Sequence, residues 1–283
     1  MLKLTDLLFY SMMSCTVTPV FGKFANSYDA ATPIQSQVAE HLAQLIVRNH
    51  TGVTDMCVVD VGCGTGKLTQ AVMSKFLQNA ALASAQLYGV DTAASMLAIW
   101  QQRVAHLLSM PLSSTSSPPT SPMTLHSQAL CANMTNMALA NQSADLVMSS
   151  FALHWTSPSV IAELGRIVKT KGQLHLAIPV AGSFHQVSQR FPKLPVFDFL
   201  PSHAWLAAIE TLRQQRQGTL MYQAEQSFAA SYDNLKSLLK NLKQMGGAVS
   251  GKDSIDTATF RRYLQDQSPI GLDYQLLMIG LQL

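Results

Sequence analysis

Apolar side chains recur at Val38, Leu42, Leu45 and Ile46, a spacing that sets them on one stripe and predicts a helix over Val38 to Val47. The pattern then changes. Met56 to Val61 reads as a buried strand, and Leu68, Val72 and Phe76 return to helical spacing over Lys67 to Leu77. The alternation continues with a strand at Gln86 to Val90, a helix at Ala94 to Leu108, and strands at Leu125 to Leu130, Asp145 to Ser150 and Gln173 to Ile178, the last following a helix predicted to end at Lys171-Gly172. Strands joined by helices predict an α/β fold with a doubly wound parallel sheet, whose ligand crevice lies at the carboxyl ends of the strands. Helical pattern interrupted by Pro192, Pro195 and Pro201 predicts a cap over that crevice, and Thr219 to Phe228 with Leu272 to Leu281 are expected to complete an antiparallel edge. The run Ser109 to Pro122 is rich in Ser and Pro and reads as a surface insertion. The expected organisation is an N-terminal extension with a helix (1–50), a ligand-binding core (51–182, with the insertion at 109–122), a helical cap (183–217) and the remainder of the domain (218–283).

Composition narrows the function classes. Apolar residues make up 48% and charged residues 12% of the 283, a globular composition with a weakly charged surface. Cys15, Cys57, Cys63 and Cys131 show no CxxC pair and no accompanying His spacing, so neither a metal site nor a disulfide framework is expected, and a cytoplasmic setting is the plain reading. Leu2 to Val20, with Ser-Met-Met-Ser-Cys ending at Cys15, superficially resembles a lipoprotein signal, but Asp6 and several Ser and Thr interrupt the apolar run. No stretch approaches the ~20 apolar residues of a membrane span. A net charge of +3 without an aromatic-basic signature does not point to nucleic acid. The charge is uneven, however: residues 1–60 hold three basic against five acidic residues, and residues 211–262 eight against four.

The strongest local signal is Val58-Val-Asp-Val-Gly-Cys-Gly-Thr-Gly66, a strand ending in an acid, followed by glycines at alternate positions and a helix. The missing side chains of Gly62 and Gly64 let the backbone approach a nucleoside and amino-acid group, and Asp60 can accept hydrogen bonds from a cationic amine. A nicotinamide fingerprint would need a small residue at Lys67. A glycine-rich turn alone is weak evidence, but Leu87-Tyr-Gly-Val-Asp91 supplies a second strand ending in an acid. There a carboxylate can grip both hydroxyls of a ribose, the alternative being an N-cap for the helix after Ala93. After the third strand, Asn133 can read an adenine edge with Met134 packed on the ring, the alternative being an ordinary loop. The fourth strand brings His154 and Trp155 towards the reacting end, as pocket walls or as packing.

Together these residues resemble the class I S-adenosylmethionine-dependent methyltransferases, and more narrowly the malonyl-acyl carrier protein O-methyltransferases of biotin synthesis. The narrower resemblance rests on Phe21-Gly-Lys-Phe-Ala-Asn-Ser-Tyr28, Ser149-Ser-Phe-Ala-Leu-His-Trp155, Gly182-Ser-Phe184, Phe199-Leu-Pro201, Leu242-Lys-Gln-Met-Gly-Gly247 and Leu272-Asp-Tyr274, and spans residues 20 to 282. It implies a Rossmann-like methyltransferase sheet with an N-terminal helical lid. It also implies S-adenosyl-L-methionine as cofactor, S-adenosyl-L-homocysteine as product, no metal, and malonyl on acyl carrier protein or coenzyme A as substrate, in a monomer that binds neither nucleic acid nor membrane. The cofactor side would be lined by Tyr28, Asp60, Gly62, Cys63, Gly64, Asp91, Thr92, Met96, Asn133, Met134 and Ser149, and the substrate side by Phe21, Lys23, Tyr28, His154, Trp155 and Arg190.

Three departures bear on the substrate: Asn133 stands where the family commonly has an acid, Asp198 where an arginine often precedes Phe-Leu-Pro, and the 109–122 insertion is unusual. A carboxylate is already ionised at neutral pH and a sulfonium methyl is strongly electrophilic, so alignment and desolvation are expected to suffice without a general base. A cation or donor must still hold the carboxylate; Arg190 is the choice from the cap, with Lys23 and Tyr28 as others and a solvated role for Arg190 left open. Lys236, Lys240 and Lys243 fall on one helical stripe opposite Leu235, Leu238, Leu239 and Leu242, where an acidic carrier helix could dock, or which could be an ordinary solvated face. Two other functions stay open: methylation of another small acid or quinone on the same scaffold, and a catalytically silent cofactor-binding partner.

Overall fold

The computed structural model describes residues 25–50, 55–78, 84–109, 124–245 and 255–283. A helical segment over residues 25–31 (α1) turns at Thr32 into α2 (Pro33–Asn49). Pro33 brings no N–H to continue the first helix, and the Thr32 hydroxyl donates back to the carbonyl of Tyr28 at 2.7 Å. Ile34, Val38, Leu42 and Ile46 form the buried stripe of α2, each side chain contributing roughly 2 kcal/mol by leaving water.

The chain then alternates through β1 (Asp55–Val61), α3 (Lys67–Gln78), β2 (Ser84–Asp91), α4 (Ala94–Ser109), β3 (Thr124–Cys131), β4 (Ala144–Ser150), α5 (Val160–Ile167), β5 (Val168–Val180), α6 (His185–Arg190), α7 (Ser202–Arg216), β6 (Thr219–Tyr232), α8 (Leu235–Gln244), α9 (Thr257–Gln265) and β7 (Ile270–Gln282). The strands form one seven-stranded sheet in the order β3-β2-β1-β4-β5-β7-β6. Pairs from β3 through β5 are parallel, and β7 runs antiparallel to both β5 and β6. The doubly wound α/β expectation therefore stands. The antiparallel strand is inserted between β5 and β6, and β6 forms the edge.

Successive residues of the central strands serve two cores. Val58 and Met148 face the helices α2, α3 and α4, whereas Val59 and Val147 face α5 and α7. Two expectations need correction. The helix before β5 ends at Ile167 rather than at Lys171-Gly172; Lys171 lies inside β5 with φ 65, next to an irregularity in the β4–β5 register. Of the cap expected at 183–217, only the segment through Phe199 borders the cavities described below. α7 instead buries Trp205, Ile209 and Leu212 in the second core. Phe21, Lys23 and all but the first residue of the 109–122 insertion lie outside the described residues. Among the described residues, Cys57, Cys63 and Cys131 are free thiols, no helix is long and apolar enough to cross a membrane, and no cluster of His, Cys, Asp or Glu could hold a metal.

Candidate active site

Register brings the sequence motifs to one edge of the sheet. Asp60 pairs with Gly89 on β2 and Met148 on β4, and Asp91 pairs with Cys131 on β3, so the carboxyl ends of β1 to β4 align. The glycine turn leaving β1 is fastened to the tip of β2: Gly62 and Cys63 both donate to the carbonyl of Val90, at 2.8 and 3.0 Å. Gly62, Gly64 and Gly66 all take positive φ. The turn borders an open cavity of about 1040 Å³. Tyr28, Asp60, Gly62, Cys63, Gly64, Asp91, Thr92, Met96, Asn133 and Met134 all line it, as does Trp155.

Asp60 is 2% exposed. Its Oδ2 accepts from the backbone and the hydroxyl of Thr69, at 3.2 and 2.6 Å, and Trp100 Nε1 donates in turn to the Thr69 hydroxyl at 2.9 Å. Burial pushes its carboxyl up to about 7 against those bonds, with the charge of Asp91 adding to the rise. Asp91 caps the next helix, the second of the two readings its sequence position allowed, and also lies on the cavity wall. Its Oδ1 accepts from the N–H of Ala93 at 2.8 Å, tying it to the start of α4, while its Oδ2 accepts from Gly64 at 2.9 Å on the wall of the cavity. Burial raises its carboxyl as well, opposed by these backbone bonds. Asn133 is exposed on the cavity wall with its Oδ1 taken by the N–H and hydroxyl of Thr135, so the local turn and the cavity position coexist.

Helix α1 closes one side. Asp29 accepts from Thr65 at 2.6 Å and is paired with Arg103, while Lys67 Nζ donates to the carbonyls of Asp29 and Thr32 and to the hydroxyls of Thr32 and Ser36. Burial pulls the Lys67 ammonium down to about 8, opposed by Asp29. Lys67 therefore caps the carbonyl end of α1 and pins Tyr28 over the cavity. The sequence marked Lys67 only as too large for a dinucleotide site. The residues it bonds, 31 to 38 positions earlier, carry no local signal.

A second chamber of about 660 Å³ opens from the first; Tyr28, Gln35, Phe151 and Trp155 line both. Its walls are aromatic. Tyr274 stands edge-on between Phe151 and Phe184, with ring centroids 4.9 Å away on either side, and His154 packs against Trp155, Phe197 and Phe199. Phe151 and Phe184 both hold positive φ, 57 and 62, a conformation that costs energy for bulky side chains and clusters at functional sites. His154 is 8% exposed, and burial pulls its imidazole down to about 3, so the ring is neutral. Leu239, Leu242 and Met245 close the chamber from α8 and the residue after it, while Lys236, Lys240 and Lys243 lie exposed on the outer side of that helix.

Two expected contacts are not brought here. Ser149 is fully buried and its hydroxyl donates to the carbonyl of Val61 at 2.8 Å; Ser150 lines the cavity instead. Arg190 borders neither cavity, because Asp266 grips its guanidinium at 2.9 and 2.5 Å and the carbonyl of Pro269 accepts at 2.7 Å. Asp198 is exposed in a groove with Gly182 and Ser183 that shares Val196, Phe197 and Phe199 with the aromatic chamber, and does not itself line that chamber. Gln35, at the junction, was not singled out by any pattern in the sequence.

Residues 59–176 match the family model described as "Methyltransferase domain". A malonyl-acyl-carrier protein O-methyltransferase of Alcanivorax borkumensis is 31% identical over 254 residues, covering 84% of this chain and 74% of that protein. The protein of the same name from Marinomonas sp. is 24% identical over 93% of this chain and 91% of its own length. Among solved structures, a putative methyltransferase from Bacillus halodurans superposes with a TM-score of 0.51 at 12% identity, covering 85% of this chain and 97% of that one. The YcgJ protein of Bacillus subtilis gives 0.52 at 14%, covering 86% and 97%. These two likenesses concern the fold.

Proposed function

The chain belongs to the malonyl-acyl-carrier protein O-methyltransferase family, and from that premise we propose that it methylates the free carboxylate of a malonyl group carried on acyl carrier protein, with S-adenosylmethionine as methyl donor, an early step of biotin synthesis. The observation that carries this reading is the pairing of two joined cavities: one edged by a buried carboxyl, a half-buried carboxyl and a glycine turn, the other apolar and aromatic.

The first cavity suits the cofactor. A Cβ added at Gly64 would meet nothing within 4 Å, which leaves room for a ligand against bare backbone, and Asp60 and Asp91 are two carboxyls that burial leaves short of counter-charge. When bound there, S-adenosylmethionine supplies a sulfonium methyl that a carboxylate oxygen can accept, the S–C electron pair staying on sulfur to leave S-adenosylhomocysteine. Asp60 would face the cationic amino-acid portion, Asp91 the ribose, and Asn133 with Met134 the adenine. Tyr28, pinned through α1 by Lys67, would exclude water from the junction. The aromatic chamber would take the acyl group and strip its hydration, which leaves the ionised carboxylate a better nucleophile. Esterification removes the charge on that carboxylate and leaves an end group compatible with apolar elongation.

Docking of the carrier is assigned to the exposed face of α8. The partner this face suits is an acidic carrier helix, since Lys236, Lys240 and Lys243 present three positive charges on the helix whose inner face closes the chamber. The test is a labelled-methyl transfer assay that offers malonyl-acyl carrier protein, malonyl-coenzyme A and free malonate side by side. Methyl ester should form on the carrier-bound substrate in preference to free malonate. Equal activity on free malonate or other free acids would replace this reading with a small-acid methyltransferase, and tight cofactor binding with no transfer to any of them would mark a silent cofactor-binding protein.

A further inference from the structure

A methyl acceptor in the aromatic chamber must present its oxygen past the four side chains shared by the two cavities. The described walls of that chamber include no Lys, Arg, Asp or Glu. Arg190, the cation expected to hold the carboxylate, is engaged with Asp266, and Lys67, which lines the first cavity, with the carbonyl end of α1. An anion moved into such surroundings loses its hydration and needs hydrogen-bond donors in exchange.

Two polar side-chain atoms are buried there without a partner: Oε1 of Gln35 and Nδ1 of His154. The other amide atom of Gln35, Nε2, faces the sulfur of Met245 at 3.6 Å, and a thioether is a weak acceptor. A half-turn of the amide exchanges its oxygen and nitrogen and presents the NH2 at the junction without moving the rest of the side chain. His154 is wedged among Trp155, Phe197 and Phe199; as a neutral imidazole carrying its proton on Nδ1 it is a donor. An unmet polar atom in a low-dielectric wall costs energy in the empty protein, and a carboxylate would satisfy both.

We propose that the methyl-accepting carboxylate is gripped by uncharged donors, the amide of Gln35 and the Nδ1–H of His154, in place of a cation. The proposal rests on the malonyl-transfer reading above and makes these two residues its substrate contacts. Neutral donors orient the carboxylate without the strong pairing of a guanidinium or ammonium, so more of its charge stays available to the methyl group.

The experiment measures initial rates with malonyl-acyl carrier protein, and calorimetric binding of S-adenosylhomocysteine, for Gln35→Leu, Gln35→Glu and His154→Phe. KM for the carrier-bound substrate should rise about tenfold or more in Gln35→Leu and His154→Phe, and kcat/KM should fall further in Gln35→Glu, where like charges meet, while Kd for S-adenosylhomocysteine stays within about twofold of the parent. The retained Kd also shows that each variant is folded. KM unchanged in both neutral variants, with Lys23→Met alone raising it, overturns the proposal in favour of a cation. A Kd that weakens in step with KM overturns it as well, since both effects would then be packing. If the parent protein transfers no methyl to malonyl-acyl carrier protein, the reading beneath the proposal fails instead, before any variant is compared.

Discussion

Gly62 and Gly64 lack side chains for different reasons. At Gly62, with φ 67, an added Cβ would lie 2.1 Å from the Cβ of Ala152, so the turn after β4 leaves no space. At Gly64 the space is open and belongs to the cavity. Beside them, Asp60 carries a proton in the empty protein up to about pH 7, because burial outweighs the bonds from Thr69. A sulfonium or ammonium group favours the ionised form. Association with S-adenosylmethionine should therefore strengthen as pH rises towards 7. Calorimetry in buffers of different ionisation heat should detect close to one proton released at about pH 6, with the release shrinking above 7. Asp60→Asn should abolish the release and weaken binding about tenfold; affinity that ignores pH below 7 would separate Asp60 from the cation. Asp60, Gly62 and Gly64 were legible because their spacing is local, a strand tip and the turn after it, and Asp91 because it ends the next strand. Ser149 was misread because two serines end β4 and the apolar pattern does not say which faces outward. Arg190 was misread because Asp266, 76 residues on, competes for it.

Helices and strands were legible wherever periodicity is strong: α3 starts at Lys67 as expected, and apart from β5, which starts at Val168 rather than Gln173, the strands lie within a few residues of their predicted bounds. What the pattern could not decide is the order of the last strands. β7 is buried along nearly its whole length, because it has neighbours on both sides, while β6 alternates as an edge strand does. Helix α8 carried its information plainly, with Leu235, Leu238 and Leu242 buried and the three lysines exposed. Replacing Lys236, Lys240 and Lys243 together by Gln should raise KM for malonyl-acyl carrier protein several-fold at low salt, by less at high salt, and leave Kd for the cofactor unchanged. An unchanged KM at low salt would reduce the stripe to a solvated face.

Across the whole molecule, the aromatic chamber draws on residues from Tyr28 to Tyr274, so no window of sequence could have shown it. Stability should also report buried groups scattered through the fold. His154 and His175 are both held down to about 3 by burial, against 6.5 when free, and His175 sits fully buried between Tyr222 and Gln173. Between about pH 4 and 6.5 the unfolded chain binds up to two protons that the folded histidines refuse, while the folded Asp60 keeps one that the unfolded chain gives up, and the raised Asp91 acts in the same sense as Asp60. Unfolding thus takes up at most about one proton net, and stability should climb with pH by up to ~1.4 kcal/mol per unit before levelling near neutrality. Scanning calorimetry from about pH 4.5 to 7 checks this, and a melting temperature that falls over that range contradicts it. The two-sided character of α8 has a further effect. Inserting one residue within it would rotate everything beyond by about 100°, swinging charge inward and leucine outward in a single step. The apolar wall of the chamber and the basic outer face of the helix are therefore inherited together, and neither can drift in register without the other.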